Sequence, residues 1–237
     1  FPNDIISPLL NNDWHEPSVE KVNAIQAQWN ALPDYMSNST DRILPVCDVS
    51  GSMWGLPMEV SVALGLYISE RNRGIFKDAV MTFSSQPGMH RIYGNTIQDR
   101  VNSLSNASWG MSTDLQKTFQ VILDAAVENA IPVYEMPNKL LIISDMEFDQ
   151  CGDQTNLERI RDQYDVAGYK LPEIIFWNVN GRPGNVPARS SEKGIGLVSG
   201  FSPAILKTIL AGKVVDPTEL MRDAVDIERY SNITRDM

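Results

Sequence analysis

Several things are scarce in this chain of 237 residues, and each scarcity narrows the function. It has two cysteines, Cys47 and Cys151, too few for a disulfide framework. Cys47 lies in an apolar run and reads as a small core residue. Histidine is equally rare: His15 falls in the leading segment and His90 on an expected edge strand. A Ser–His couple or a His-based metal site therefore has little material. Basic residues are outnumbered, 20 Lys and Arg against 30 Asp and Glu, giving a net charge of −10 and no electrostatic footprint for nucleic acid. Direct contact with nucleic acid is not expected. No apolar run approaches the roughly 20 residues that a membrane span requires. The Phe1-Pro2-Asn3-Asp4 opening carries no signal-peptide pattern, so the sequons at Asn38, Asn106 and Asn232 carry little weight and a cytoplasmic location is expected. A chain opening on Phe reads as a fragment of a longer polypeptide.

What is present is the composition of one large α/β domain, with 43% hydrophobic and 21% charged residues. Residues 1–41 read as an arm with one amphipathic helix, Val22, Ile25 and Trp29 recurring at helical spacing after a capping Ser18. Residues 42–237 read as the domain proper, alternating strand, loop and helix. Expected strands are 43–47, 79–83, 89–93, 140–143, 173–178 and 196–199. The second and third form a hairpin, which makes the third an antiparallel edge. Expected helices are 58–71, 97–104, 113–130, 157–167, 202–210 and about 217–226. This order predicts a doubly wound, mostly parallel, Rossmann-like sheet with helices on both faces. Pro45 is awkward within a central strand, because proline cannot donate to a ladder.

The chemistry is concentrated at the strand ends. Asp48-Val49-Ser50-Gly51-Ser52 follows the first core strand, where ligands of open α/β sheets bind. Asp48, Ser50 and Ser52 offer one carboxylate and two hydroxyls on a tight loop, a hard oxygen set suited to Mg²⁺ or Mn²⁺. Thr113, at the start of a long helix, and Asp145, at the end of the 140–143 strand, reach the same rim. The bland alternative is that these residues only cap helices and tighten turns. Ser112 reads as a loop residue and Asp114 as a first-turn helix acid.

The Asp-x-Ser-x-Ser, Thr, Asp order resembles the metal-ion-dependent adhesion site of von Willebrand factor A-type (vWA) domains, over roughly residues 42–215. The resemblance implies that Asp48, Ser50, Ser52 and Thr113 ligate or closely approach a divalent cation (Mg²⁺, with Mn²⁺ or Ca²⁺ as alternatives). Asp145 would act directly or through water, and an Asp or Glu of a partner protein would complete the shell. The segments 45–53, 57–66, 109–114, 144–149 and 197–201 also resemble the domain-of-unknown-function family 2828. More distantly, the chain resembles the vWA half of TROVE (Ro-type) RNA-binding proteins. The family resemblance implies a helical region upstream and supplies no known activity.

Met53, Trp54, Trp109, Met111, Glu147 and Phe148 fall in the loops expected to rim the site. The aromatics and methionines suit a protein-binding surface or, equally, loop packing. Glu147 and Asp149 could bind a second cation, act as a base or be solvated acids. Two functions follow: a metal-bridged protein-interaction module, which is not an enzyme, or a hydrolase or phosphotransferase using Asp48 and Asp145. The second is disfavoured by Ser50 where aspartate-nucleophile phosphatases carry a second acid, and by the lack of Lys or Arg in the motif segments. RNA association through an upstream region is a third reading, compatible with the first.

Overall fold

A computed structural model describes residues 1–10, 17–83, 87–107, 115–145, 156–180 and 195–211. A six-stranded sheet forms its centre, in the order β3-β2-β1-β4-β5-β6. The strands are β1 (Ile43–Asp48), β2 (Ala79–Phe83), β3 (Gly88–Arg91), β4 (Lys139–Ser144), β5 (Glu173–Asn178) and β6 (Ile195–Ser199). Every neighbouring pair is parallel except β2 with β3, the expected hairpin. The α/β architecture read from the sequence is thus the observed one.

Both faces of the sheet are buried, so its central strands are apolar in an unbroken run rather than alternating. Ile43, Cys47, Leu141, Ile143, Ile175 and Trp177 belong to one core. Leu44, Val46, Leu140, Ile142, Ile174 and Phe176 belong to the other. The second face is covered by α5 (Leu115–Glu128) and α6 (Asn156–Val166), through Phe119, Ile122, Ile160 and Tyr164. The first face carries α3 (Leu56–Arg71), α4 (Ile97–Ser105) and α7 (Pro203–Leu210). Pro45 is accommodated because pairing of β1 with β2 begins only at Val46, whereas its pairing with β4 runs from Ile43. At the far end from the rim, Lys139 reaches Asp41 at 2.6 Å and Asn138 accepts from the Arg42 N–H at 2.8 Å, which ties the starts of β1 and β4 together.

The arm holds two helices where one was expected, α1 (Pro2–Leu10) and α2 (Val19–Asn30). Pro2 opens α1, where its missing N–H would have had no partner; Pro8 lies inside it. Ile6, Leu9, Ile25 and Trp29 join the core of the first face. Trp29 Nε1 donates to Glu70 Oε2 at 2.7 Å, the Tyr67 hydroxyl donates to the Pro33 carbonyl, and the α4 N-terminus donates from Ile97 N–H to Gln26 Oε1 at 2.6 Å. With the sheet on one side and the arm on the other, every residue of α3 from Val60 to Ser69 is buried. Its sequence is apolar or small all round for that reason.

Gly65 brings α3 directly onto β1. A Cβ there would lie 2.4 Å from Cys47 Sγ. The Cys47 thiol is fully enclosed, and that burial pushes its pKa up to about 12, so it stays a neutral core group. Gly65→Ala is expected to cost about 1–3 kcal/mol by overpacking. Cys47→Ala in the same background should recover part of that loss. Simple additivity of the two substitutions in chemical unfolding would show that the close approach is not the source.

Candidate metal centre

The strand order turns at β1 and β4: from β1 the chain steps outward to β2, from β4 to β5. The crevice beyond the carboxyl ends of two such strands is where open α/β sheets bind ligands. Asp48 is the last residue of β1, and Asp145 directly follows the last residue of β4. Both are buried, at 0% and 1% exposure. The strands are in register with Cys47 opposite Ile143, which sets Asp48 level with Ser144. The Ser144 hydroxyl donates to Asp48 Oδ2 at 2.6 Å. Asp48 Oδ1 accepts the Ser50 N–H at 2.9 Å, closing a tight turn. That turn passes into a short 3₁₀ segment, Gly51–Met53, with the Met53 N–H donating to the Ser50 carbonyl at 3.0 Å.

The turn-tightening role that these residue types often play is therefore real for Asp48. It does not exhaust the carboxylate, because each oxygen has a second lone pair. Burial raises the Asp48 pKa above the ordinary carboxylate value; the hydrogen bonds from Ser144 and Ser50 oppose this, and the nearby Asp145 charge adds to it. Two buried acids near one another favour binding a cation. The hydroxyls of Ser50 and Ser52 lie 3.1 Å apart. Adjacent ligands of an octahedral Mg²⁺, bound at about 2.0–2.1 Å, are separated by about 3 Å. Donor type, charge and spacing fit a small hard dication.

Comparison with known proteins agrees with this architecture. The family described as "Domain of unknown function (DUF7788)" matches residues 42–235. The chain belongs to the DUF7788 family. Its number differs from the 2828 family that the motif segments resemble. An uncharacterized protein of Acanthamoeba polyphaga mimivirus, L728, is 30% identical over 226 residues. The alignment takes in 93% of this chain and 38% of the viral protein, so the DUF7788 chain spans well under half the length of that relative. The crystal structure of the Deinococcus radiodurans Ro (RSR) protein superposes with a TM-score of 0.58 at 18% identity, over 90% of this chain and 44% of that one. At that identity the likeness concerns the fold alone.

Of the residues expected at the site, the structure brings Asp48, Ser50, Ser52 and Asp145 to one rim. Thr113 lies outside the described residues, as do Trp109, Met111, Glu147 and Phe148. The two remaining rim residues of this DUF7788 chain part company. Trp54 is 84% exposed, as a surface contact requires. Met53 is not a rim residue but a core one: it is fully buried in the first-face core and anchors the loop from beneath. The motif alone gave no role to Ser144. Its signal is positional, a hydroxyl at the end of the strand paired with the one that ends in Asp48. Among the described residues no helix is long and apolar enough to cross a membrane.

Proposed function

We propose that this domain is a divalent-metal-dependent protein-interaction module, with a site of the metal-ion-dependent adhesion type. The observation that supports it is the pair of buried carboxylates, Asp48 and Asp145, beside two hydroxyls spaced as neighbouring ligands at the strand-order switch. Asp48, Ser50, Ser52 and Thr113 would hold or closely approach the cation, with Asp145 acting directly or through water. When bound, Mg²⁺ (or Mn²⁺ or Ca²⁺) supplies an open coordination position that a partner's Asp or Glu carboxylate fills. Ser144 keeps the Asp48 carboxylate oriented, and the Ser50 N–H fixes its other oxygen. A chain of net charge −10 does not attract an acidic partner at long range, so affinity for one has to come from the metal.

Thermal unfolding in EDTA and in Mg²⁺ tests the reading. At a hundred times its Kd, a native-state ligand stabilises by about 2.7 kcal/mol. For a domain of this size that is a midpoint rise of roughly 5–10 °C. Asp48→Ala should abolish the rise. An unchanged midpoint in wild-type protein at millimolar Mg²⁺, Mn²⁺ and Ca²⁺, or an equal rise in the variant, would sink the proposal.

A further inference from the structure

The loop that carries Ser50 and Ser52 continues without a break into an apolar step. Trp54 is 84% exposed and Leu56, the first residue of α3, is 50% exposed. A tryptophan side chain presents some 150–250 Å² of largely apolar surface, and leaving it in water forgoes the gain from burying it. The step is held in place from three directions. Met53 pins the chain in the core immediately before it, and the Trp54 N–H donates to the Gly51 carbonyl at 3.3 Å. Gly55 then turns the chain into α3 with φ +89° and ψ −139°, a conformation that residues with a side chain adopt only under strain. The indole is thereby set on the outside of the same short loop that bears the hydroxyl ligands.

A carboxylate bound to a cation is not selective by itself, since almost every protein displays Asp and Glu. Discrimination has to come from what lies beside the carboxylate, and here that is Trp54 and Leu56. We infer that the partner is a protein segment in which an acidic residue is followed or preceded, within a few positions, by a bulky apolar side chain that seats on Trp54 and Leu56. This inference rests on the metal-bridging reading above. A phosphate backbone could also reach a cation, with a base stacked on the indole, but the net charge of −10 opposes it.

Fluorescence anisotropy of labelled dodecapeptides on the full chain separates the possibilities. The parent peptide holds one Asp among Gly and Ser; the others add one Phe, placed one, two or three residues to either side of the Asp. In millimolar Mg²⁺ at least one Phe-bearing peptide should bind roughly tenfold or more tightly than the parent, the yield of burying an aromatic side chain. EDTA should abolish binding of both. Trp54→Ala should remove the advantage of Phe while leaving the Mg²⁺-induced midpoint rise intact, and Leu56→Ser should reduce it. Equal binding of all peptides to a wild-type chain that does show the Mg²⁺ rise would overturn the inference and spare the metal site. So would an advantage that survives both substitutions, or tighter, Trp54-dependent binding of a single-stranded oligothymidine. Absence of the Mg²⁺ rise in wild type is the separate failure, removing the metal reading and this inference with it.

Discussion

A chain cut back to residues 42–237 should not form a stable native domain, although those residues include the whole of the family match. Ile6, Leu9, Ile25, Trp29 and Met36 are all buried against the first-face core. Burying side chains of this size yields about 1.5–3 kcal/mol each, together on the order of 10 kcal/mol. Whole domains are stable by only about 5–15 kcal/mol. Removal would also bare α3, whose residues from Val60 to Ser69 are all enclosed. Size-exclusion chromatography and near-ultraviolet circular dichroism of the fragment should show aggregation or the loss of fixed aromatic packing. A monomeric fragment that melts cooperatively within a few degrees of the parent would refute this. The graded version is Trp29→Ala, expected to cost about 3–5 kcal/mol from the lost packing, besides breaking the bond to Glu70.

Asp48→Asn should do two opposite things: raise the melting temperature of the metal-free protein at neutral pH and eliminate the response to metal. The amide still accepts the Ser50 N–H, and the Ser144 hydroxyl can rotate to accept from its nitrogen. What disappears is a charge that the fold disfavours. An unfolded aspartate titrates near pH 3.9, whereas burial holds the folded Asp48 above its ordinary value. As pH rises from the unfolded value, the unfolded chain ionises first, so the folded state loses stability relative to it; the loss is complete above the folded pKa. The variant has no such loss. Its advantage in EDTA should be largest at neutral pH and should shrink as pH falls toward 3.9. In millimolar Mg²⁺ the order should reverse, because only the wild type gains from the cation. A variant less stable than wild type in EDTA at neutral pH would show that the two hydrogen bonds to Asp48 outweigh its burial.

The alternation of strands and helices, the antiparallel edge and the position of Asp48 and Asp145 were legible because each rests on local pattern. A buried run of Leu140 to Ile143 ending in Ser144-Asp145 can be read without knowing its neighbours. Three features were not local. Residues 1–41 read as an arm with one helix, so α1 was not expected; Pro2 sits in its first turn, which tolerates proline, whereas Pro8 lies inside it. Met53 and Trp54 are adjacent and similarly apolar; which of them faces the core depends on the 3₁₀ turn that follows Ser50. In α3, Val60, Ala63, Leu64, Tyr67 and Ile68 mark one stripe. Val62, Leu66 and Ser69, on the rest of its circumference, are buried as well, and the arm packs on α3 through Tyr67 and Glu70.

The four-residue strand β3 bears on how the protein behaves in concentrated solution. A long parallel edge presents a row of unpaired N–H and C=O groups to any other chain, and self-association can propagate from it. Here that side of the sheet ends instead in a short reversed strand. Its last residue, Arg91, is charged and exposed, and its guanidinium donates to the carbonyls of Lys77 and Ile75 at 3.1 and 2.8 Å. The border is too brief to template a second copy and carries a positive charge that would have to be desolvated if one docked. Joining through the sheet is thereby discouraged on this side.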